Sequence, residues 1–216
     1  CDWSSDVCSS DLASCHRPSL AFTDGLAHSK GFEHGTELSR NAPVLVNAML
    51  QRKLFLDGRA FTFENQAGEV LSNPREMQGN FSVVPAKIRS SSAYRKLFSM
   101  AFAGTEDTLV SQRSILKAIA AYERSLVALN SGFDKAIRAT GENLSEDARN
   151  GFNLFMGKAQ CGRCHFVPLF NGTRPPDYLE SEMEVIGVPG NADSRHPVPD
   201  TDPGRENIVP MKEYHG

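Results

Sequence analysis

The sequence lacks the features of several common protein classes. It has no apolar run near the roughly 20 residues that a membrane-spanning helix needs. Its net charge is −3, so it has no excess of positive charge for nucleic acid, which argues against nucleic acid as a general partner. No alternating strand pattern longer than four residues stands out, so the sequence does not predict a sheet.

One cysteine motif carries specific chemistry: Cys161-Gly162-Arg163-Cys164-His165 has the C-x-x-C-H spacing that attaches a c-type haem. Its two sulfurs lie on one side of a helical turn and can bond both vinyl groups of one porphyrin, and His165 can then bind the iron. A zinc site would need a second Cys/His pair at ligand spacing, and none follows Cys164. A thioredoxin-like redox pair usually adjoins a βαβ pattern, which is absent. Haem attachment is therefore favoured.

A second, incomplete copy of the motif lies near the start. Cys15-His16 ends like the first motif, but Leu12 stands where its first cysteine is needed, and Cys8 is too distant to replace it. Residues 1–12 resemble a translated sequencing adapter, although a natural Ser/Asp-rich leader is the alternative reading. Haem attachment accounts for Cys15, Cys161 and Cys164, so no disulfide framework is expected. Because such attachment occurs outside the bacterial cytoplasm, we expect a periplasmic protein.

The rest of the sequence reads as helices followed by loops. Apolar spacing predicts a helix from Thr108 to Leu129, ended by Asn130, Ser131 and Gly132. Ser145 begins another helix, which runs to Gly157 and leads to Cys161. A shorter helix is expected from Ala93 to Phe102. After Phe166, eight prolines predict loops that a bound macrocycle would organise.

The two haem motifs divide the chain into parts. We expect a non-native leader at 1–12, a first haem domain at 13–130 and a second at 131–216. The last residues, His215-Gly216, form no terminating element, so we expect the chain to be truncated at both ends.

Several stretches together resemble the bacterial di-haem cytochrome c peroxidase family, including its MauG-type relatives. They keep the family's order and approximate spacing from residue 13 to about 205. The matching stretches are Cys15-His16-Arg17-Pro18, Leu20 to Gly25, Arg40 to Pro43, Asn47-Ala48, Phe55 to Ala60, Gln66, Asn73 to Met77, Ala118 to Arg124 and Cys161 to His165.

The resemblance implies a fold and a reaction. The fold is all-α, with two cytochrome c-like domains that hold two covalently bound haem c groups. The haem on Cys15 and His16 would react with hydrogen peroxide. The haem on Cys161, Cys164 and His165 would receive electrons from a small cytochrome c or a cupredoxin. A homodimer is also possible in this family.

The resemblance also assigns a distal histidine to the first haem. Family members in their resting form often place a His-Gly pair there, shortly before the Arg-Asn-Ala-Pro stretch. His34-Gly35 occupies that place, and His28 is the rival. The alternative for either histidine is an exposed loop residue.

Gln66 and Glu76 match the family's distal pair. Peroxide cleavage needs a base that moves a proton from the near oxygen to the leaving oxygen, and polar groups that stabilise the developing charge. Glu76 is the candidate base and Gln66 its hydrogen-bonding support. Without the resemblance, Glu76 would read equally well as an acid at a helix start after Pro74.

One further match concerns calcium. Asn41 matches a residue that binds a calcium ion between the domains in this family, although its amide would also suit the turn before Pro43. Calcium takes six to eight oxygens, so one matched ligand does not define the site.

The sequence departs from the family at two places. Leu56 replaces a tryptophan found between the haems in much of the family, and Trp3 lies in the suspect leader. A leucine cannot hold an oxidising equivalent. The Met or Tyr motif that ligates the second haem is not matched, and Met183 and Met211 read as ordinary loop or core methionines.

The sequence thus predicts a peroxidase with catalytic Glu76 and Gln66. Two alternatives stay open. One is a MauG-type oxidase that modifies a partner protein. The other is a di-haem electron carrier without enzymatic activity, in which both irons are six-coordinate.

Overall fold

The computed structural model describes residues 11–107, 109–141, 143–184, 186–191 and 195–209. These residues form seven α-helices and three short 3₁₀ turns, and the pairs of extended residues among them are isolated bridges rather than strands. The predicted all-α class is confirmed. The helices are α1 (Leu12–Cys15), α2 (Phe63–Ser72), α3 (Val84–Ser90), α4 (Ser92–Ala101), α5 (Gln112–Ser125), α6 (Gly132–Ile137) and α7 (Glu146–Met156).

Two compact units divide the chain. The first contains the described residues of Cys1–Val46, Leu54–Leu56 and Ala60–Leu126, and the second those of Asn47–Lys53, Asp57–Arg59 and Val127–Gly216. The second unit therefore includes two short segments from the N-terminal half of the sequence. The haem-bearing domains 13–130 and 131–216 stay a prediction.

The core of the first unit lies between α2 and α5. Phe63 and Ala67 of α2 and Ile115 and Ala120 of α5 are buried, so each helix contributes one apolar face. Two hydrogen bonds of 2.9 Å join the guanidinium of Arg124 to the carboxylate of Glu64 on the other helix.

Helix α5 is shorter than predicted. Ser111 begins it with a capping box to Ser114, and Leu109 is 73% exposed before the first turn. The helix ends at Ser125 rather than at Leu129, so the prediction was wrong at both ends. Ser131 and Gly132, which were predicted to end this helix, lie at the start of the next one. The Ser131 side chain accepts a hydrogen bond from the Asp134 amide and caps α6.

The other two predicted helices are confirmed. Helix α4 spans Ser92–Ala101, and α7 runs from its cap at Ser145 to Gly157. Four helices were not predicted: the four-residue α1, then α2, α3 with a proline in its first turn, and α6. After Phe166 the described residues contain no helix, as the prolines predicted.

None of the helices within the described ranges combines the length and apolarity that crossing a bilayer requires.

Candidate functional site

The second haem motif lies on a tight turn that follows α7. Cys161–Arg163 form a 3₁₀ turn, and the amides of Cys164 and His165 donate to the carbonyl of Cys161 at 3.2 and 3.0 Å. The two cysteines are free and exposed, and they stand at the first residue and at the C-cap of this one turn. The sequence predicted this local geometry, because the motif spacing requires it.

A backbone hydrogen bond orients the imidazole of His165. Its Nδ1 lies 3.0 Å from the carbonyl oxygen of Phe170. A carbonyl only accepts, so Nδ1 carries the proton and Nε2 keeps its lone pair for a metal. Iron-ligating histidines need this arrangement, in which the second nitrogen is held by a backbone or carboxylate acceptor.

Four phenylalanines surround this turn in the second unit. Phe133 packs against Phe152 and Phe170 with ring centroids 5.3 and 4.9 Å apart, and Phe155 lies 5.4 Å from Phe170. The Phe155 ring is also 6.3 Å from the His165 ring. The side chains beside His165 are therefore apolar, as a porphyrin edge would need.

The first motif has the same local geometry. The amide of His16 donates to the carbonyl of Leu12 at 2.8 Å, just as the amide of His165 donates to Cys161. His16 Nδ1 lies 2.7 Å from the carbonyl of Phe22 and is thus protonated, with Nε2 available. Leu12 occupies the position that Cys161 holds in the second motif.

The similarity continues past each histidine. Arg17 bridges to Thr23 in the first motif, and Phe166 bridges to Asn171 in the second. The carbonyls of Phe22 and Phe170 were not among the predicted functional groups. The sequence signal that could have found them is a phenylalanine five or six residues after each motif histidine, followed by Thr or Asn.

These donor sets fit haem c. Each motif presents a histidine whose Nδ1 is occupied by a backbone carbonyl, and the second also presents two exposed thiols. The first presents only the Cys15 thiol. Burial raises the pKa of that thiol, and the nearby carboxylates of Asp24 and Glu76 raise it further, against a lowering hydrogen bond from Ser14.

Glu76 is therefore close enough to Cys15 for its charge to act there. It is half-buried in the turn that follows α2, and Asn73 Nδ2 donates to its Oε1 at 2.6 Å. Gln66 is half-buried on α2, the helix that leads directly into this turn. One continuous segment of the first unit carries both predicted catalytic residues.

The two candidate distal histidines lie on one loop. His34 is exposed near the tip of a hairpin whose ends, Lys30 and Glu37, are bridged. His28 is exposed as well, and its Nδ1 lies 3.2 and 3.1 Å from the carbonyls of Leu38 and Ser39. His28 thus helps to close the hairpin base, while the imidazole of His34 stands at the surface.

The predicted calcium ligand Asn41 is exposed. Within the described parts of the chain, no three His, Cys, Asp or Glu side chains cluster as a metal site would require. Calcium stays a prediction.

Leu56 is 69% exposed, and the turn after it is firmly held. The guanidinium of Arg205 donates to the carbonyls of Asp57 and Gly58 at 2.7 and 3.0 Å. Gly58 has φ +66°, and a Cβ there would lie 2.8 Å from the sulfur of Met183, so a larger residue would be strained and would displace that side chain. Met183 is half-buried against this turn, in line with its reading as a packing residue, and Met211 lies outside the described residues.

One buried carboxylate on α5 was missed. Oε2 of Glu123 is buried and has no hydrogen-bond partner among the described residues. Burial raises the pKa of Glu123 to about 7, the positive charge of Arg124 lowers it and the negative charge of Glu64 raises it. The sequence did not indicate that Glu123 is buried, because the way α5 packs decides which of its faces is buried.

Known proteins resemble this chain in sequence and in structure. The family model for di-haem cytochrome c peroxidase matches residues 7–142, more than half of the 216 residues. The match begins inside the predicted leader and ends before Cys161.

Two curated relatives illustrate the range of the family. The methylamine utilization protein MauG of Methylorubrum extorquens is 35% identical over 71% of this chain and 42% of its own length. The cytochrome c551 peroxidase of Nitrosomonas europaea is 33% identical over 74% of this chain and 46% of its own length. The chain thus spans less than half of these relatives.

Solved structures agree with this relationship. A MauG-like protein associated with microbial copper homeostasis superposes with a TM-score of 0.77 at 27% identity, over 94% of this chain and 60% of that one. The diheme peroxidase BthA of Burkholderia thailandensis shares the fold, with a TM-score of 0.68 at 24% identity, over 94% of this chain and 57% of that one. The family match, these relatives and the two oriented histidines lead to one conclusion: the chain belongs to the di-haem cytochrome c peroxidase family, whose members hold haem c.

Proposed function

We propose that this protein reduces hydrogen peroxide to two molecules of water, taking up two electrons and two protons. The observation that supports the proposal most directly is the pair of histidines, His16 and His165, each with Nδ1 held by a backbone carbonyl and Nε2 available. Each bound haem would supply an iron that changes oxidation state, so the pair could hold the electrons the reaction needs.

In this proposal the first motif is the peroxide site. His16 would bind the iron of the haem held there. Glu76 takes the proton of the near peroxide oxygen and delivers it to the leaving oxygen, and Gln66 donates a hydrogen bond as charge develops. The influence of Glu76 on the Cys15 thiol supports this placement, since the two groups lie within electrostatic reach. His34 is the proposed labile second ligand that this haem would take.

The second motif is the proposed entry for electrons. Cys161, Cys164 and His165 would hold the haem that receives them, and a small cytochrome c or cupredoxin in the periplasm is the proposed donor.

The proposal is tested by adding hydrogen peroxide to the reduced, haem-loaded protein in a stopped-flow spectrometer. A peroxidase should consume one peroxide for every two electrons, with rapid oxidation of both haems. A pure electron carrier, with both irons six-coordinate, would be oxidised slowly or not at all, and that result would refute the proposal.

The role of Glu76 has its own test. Glu76→Gln should lower peroxide turnover by about 10² to 10⁴-fold, the usual contribution of a general acid–base group, and leave both haem spectra nearly intact. Glu106→Gln is the matched control, since Glu106 is exposed in the same unit with its side chain 92% accessible. Equal turnover in Glu76→Gln and wild-type protein would contradict the assigned role.

A MauG-type oxidase is the second candidate. The 35% identity to MauG and the leucine at position 56 favour it, because Leu56 cannot relay an oxidising equivalent as the tryptophan would. The discriminating measurement adds peroxide without an external electron donor. An oxidase would modify a partner protein covalently, whereas a peroxidase would stop after its stored electrons are used.

A further inference from the structure

The hairpin that carries His34 is joined to the turn that carries Glu76. The hairpin closes on itself through the bridge between Lys30 and Glu37 and a bond of 3.0 Å from the Gly31 amide to the Thr36 carbonyl. Its other contacts reach outward to the segment after α2, more than thirty residues further along the sequence.

Arg75 makes those contacts with both its backbone and its side chain. The amide of Phe32 donates to the carbonyl of Arg75 at 2.8 Å. In the opposite direction, Nη2 of Arg75 donates to the carbonyl of Glu37 at 3.2 Å. One residue thus holds both arms of the hairpin, near its start and at its end.

Asn73 continues the connection to Glu76. Its Oδ1 accepts the Arg75 amide at 3.0 Å, and its Nδ2 donates to Oε1 of Glu76 at 2.6 Å. A single side-chain amide therefore fixes both the backbone of Arg75 and the carboxylate of Glu76.

The joint is closely packed at Gly31. A Cβ on Gly31 would lie 3.3 Å from the carbonyl oxygen of Arg75 and would collide with the Thr36 side chain. A side chain at residue 31 would therefore crowd both the Thr36 side chain within the hairpin and, less severely, the Arg75 carbonyl.

We propose that Arg75 is a positioning residue that ties the hairpin of residues 30–37 to the Asn73–Glu76 turn and so holds the Glu76 carboxylate in place. This inference rests on the proposed function, in which Glu76 moves the proton of peroxide. The guanidinium bond and the Phe32 amide bond act as a two-point clamp, and Asn73 transmits its position to the carboxylate.

Hydrogen exchange tests the clamp without any turnover. In Arg75→Ala, the hairpin loses the hydrogen bond from the charged Arg75 guanidinium to the Glu37 carbonyl and keeps only the bond from the Phe32 amide. The amide of Phe32 should therefore exchange about tenfold faster. Arg75→Lys keeps a cationic donor on a flexible stem and should restore part of the protection. Arg95→Ala is the control, since Arg95 also donates to a backbone carbonyl, that of Ser90 at 3.1 Å, away from this joint.

Turnover in the haem-loaded protein tests the consequence. Arg75→Ala should lower kcat about tenfold with KM nearly unchanged. In a Glu76→Gln background the same substitution should lower kcat less than twofold, because Arg75 acts through Glu76. Gly31→Ala, whose Cβ collides with the Thr36 side chain and crowds the Arg75 carbonyl, should lower kcat in the same direction as Arg75→Ala.

Each outcome decides something. Unchanged exchange at Phe32 in Arg75→Ala overturns the clamp. Equal losses of kcat from Arg75→Ala with and without Glu76 overturn its action through the carboxylate. If Glu76→Gln alone leaves turnover intact, the proposed function of Glu76 fails, and the exchange measurement then decides whether the clamp exists.

Discussion

At the scale of single residues, Glu123 shows how burial alone changes chemistry. The fold raises the pKa of its carboxyl to about 7, and burial is the largest cause. Below the pKa that Glu123 has in the unfolded chain, both states hold the proton, so its ionisation does not change the free energy of unfolding. As pH rises toward 7, the unfolded state releases the proton first, so stability falls across that range.

Replacing Glu123 should remove this pH dependence. Glu123→Met keeps the length of the side chain without an ionisable group. Its Tm should exceed that of the wild type above pH 7, by roughly 2–4 °C for each kcal/mol regained, and the gain should shrink toward pH 4. Thermal unfolding followed by circular dichroism measures it.

Glu64 should show the opposite pH dependence of stability and serves as a control. Hydrogen bonds from Arg124 hold the pKa of Glu64 below its usual value, so Glu64 stabilises the fold above the unfolded pKa. Glu64→Gln should therefore lower Tm most at neutral pH and least in acid. A gain of equal size for Glu123→Met at pH 4 and pH 8 would contradict the buried, protonated state of Glu123.

Leu12 gives a second prediction for one residue. Because the His16 amide bonds to Leu12 as the His165 amide bonds to Cys161, a cysteine at position 12 should be placed for a thioether. Leu12→Cys should move the absorption of the reduced pyridine complex of the haem to shorter wavelength, since the second vinyl group loses its conjugation. Leu12→Ser is the matched control, and an unchanged spectrum in Leu12→Cys would refute the equivalence.

At the scale of elements, one asparagine joins distant segments. The Asn47 amide donates to the carbonyl of Ala128 at 3.0 Å and accepts its amide at 2.8 Å, across 81 residues of sequence. Asn47 has φ +65°, a left-handed conformation that asparagine tolerates better than alanine does.

Two substitutions at Asn47 separate these contributions. Asn47→Gly loses both hydrogen bonds but keeps the left-handed conformation, and it should lower the free energy of unfolding by about 2 kcal/mol. Asn47→Ala should cost about 1 kcal/mol more, because its Cβ opposes that conformation. Denaturant unfolding of the two variants gives both numbers. Equal stability of Asn47→Gly and wild-type protein would show that the bonds to Ala128 contribute nothing.

Element boundaries show what local pattern can and cannot predict. The start of α7 at Ser145 was predicted because the cap and the acidic first turn are consecutive residues. The prediction of a helix end at Asn130 to Gly132 was wrong, since serine and glycine occur both where helices begin and where they end. Only the bond between Ser131 and Asp134 distinguishes the two cases.

At the scale of the whole molecule, the central prediction is the number of haems. Protein matured in a host that attaches c-type haem should carry two irons per polypeptide, measured by metal analysis against protein concentration. His165→Ala should change the absorption spectrum of the haem at the second motif and leave that of the first unchanged, and His16→Ala should do the reverse, because each histidine would ligate one iron. A value of one iron in the unmodified protein would refute the di-haem assignment for this chain.

Sequence by itself determined the family and the all-α class, and it predicts the haem-binding residues of the second motif. Thioether attachment is local chemistry, because it needs two cysteines and a histidine within five consecutive residues, and such patterns survive in the sequence without knowledge of the fold. Tertiary structure alone decided the burial of Glu123, the tie between Asn47 and Ala128, and the hold of Arg75 on the hairpin. Each of these depends on groups far apart in sequence or on the packing of a helix face, and no local pattern records which distant atoms a folded backbone brings within hydrogen-bonding distance.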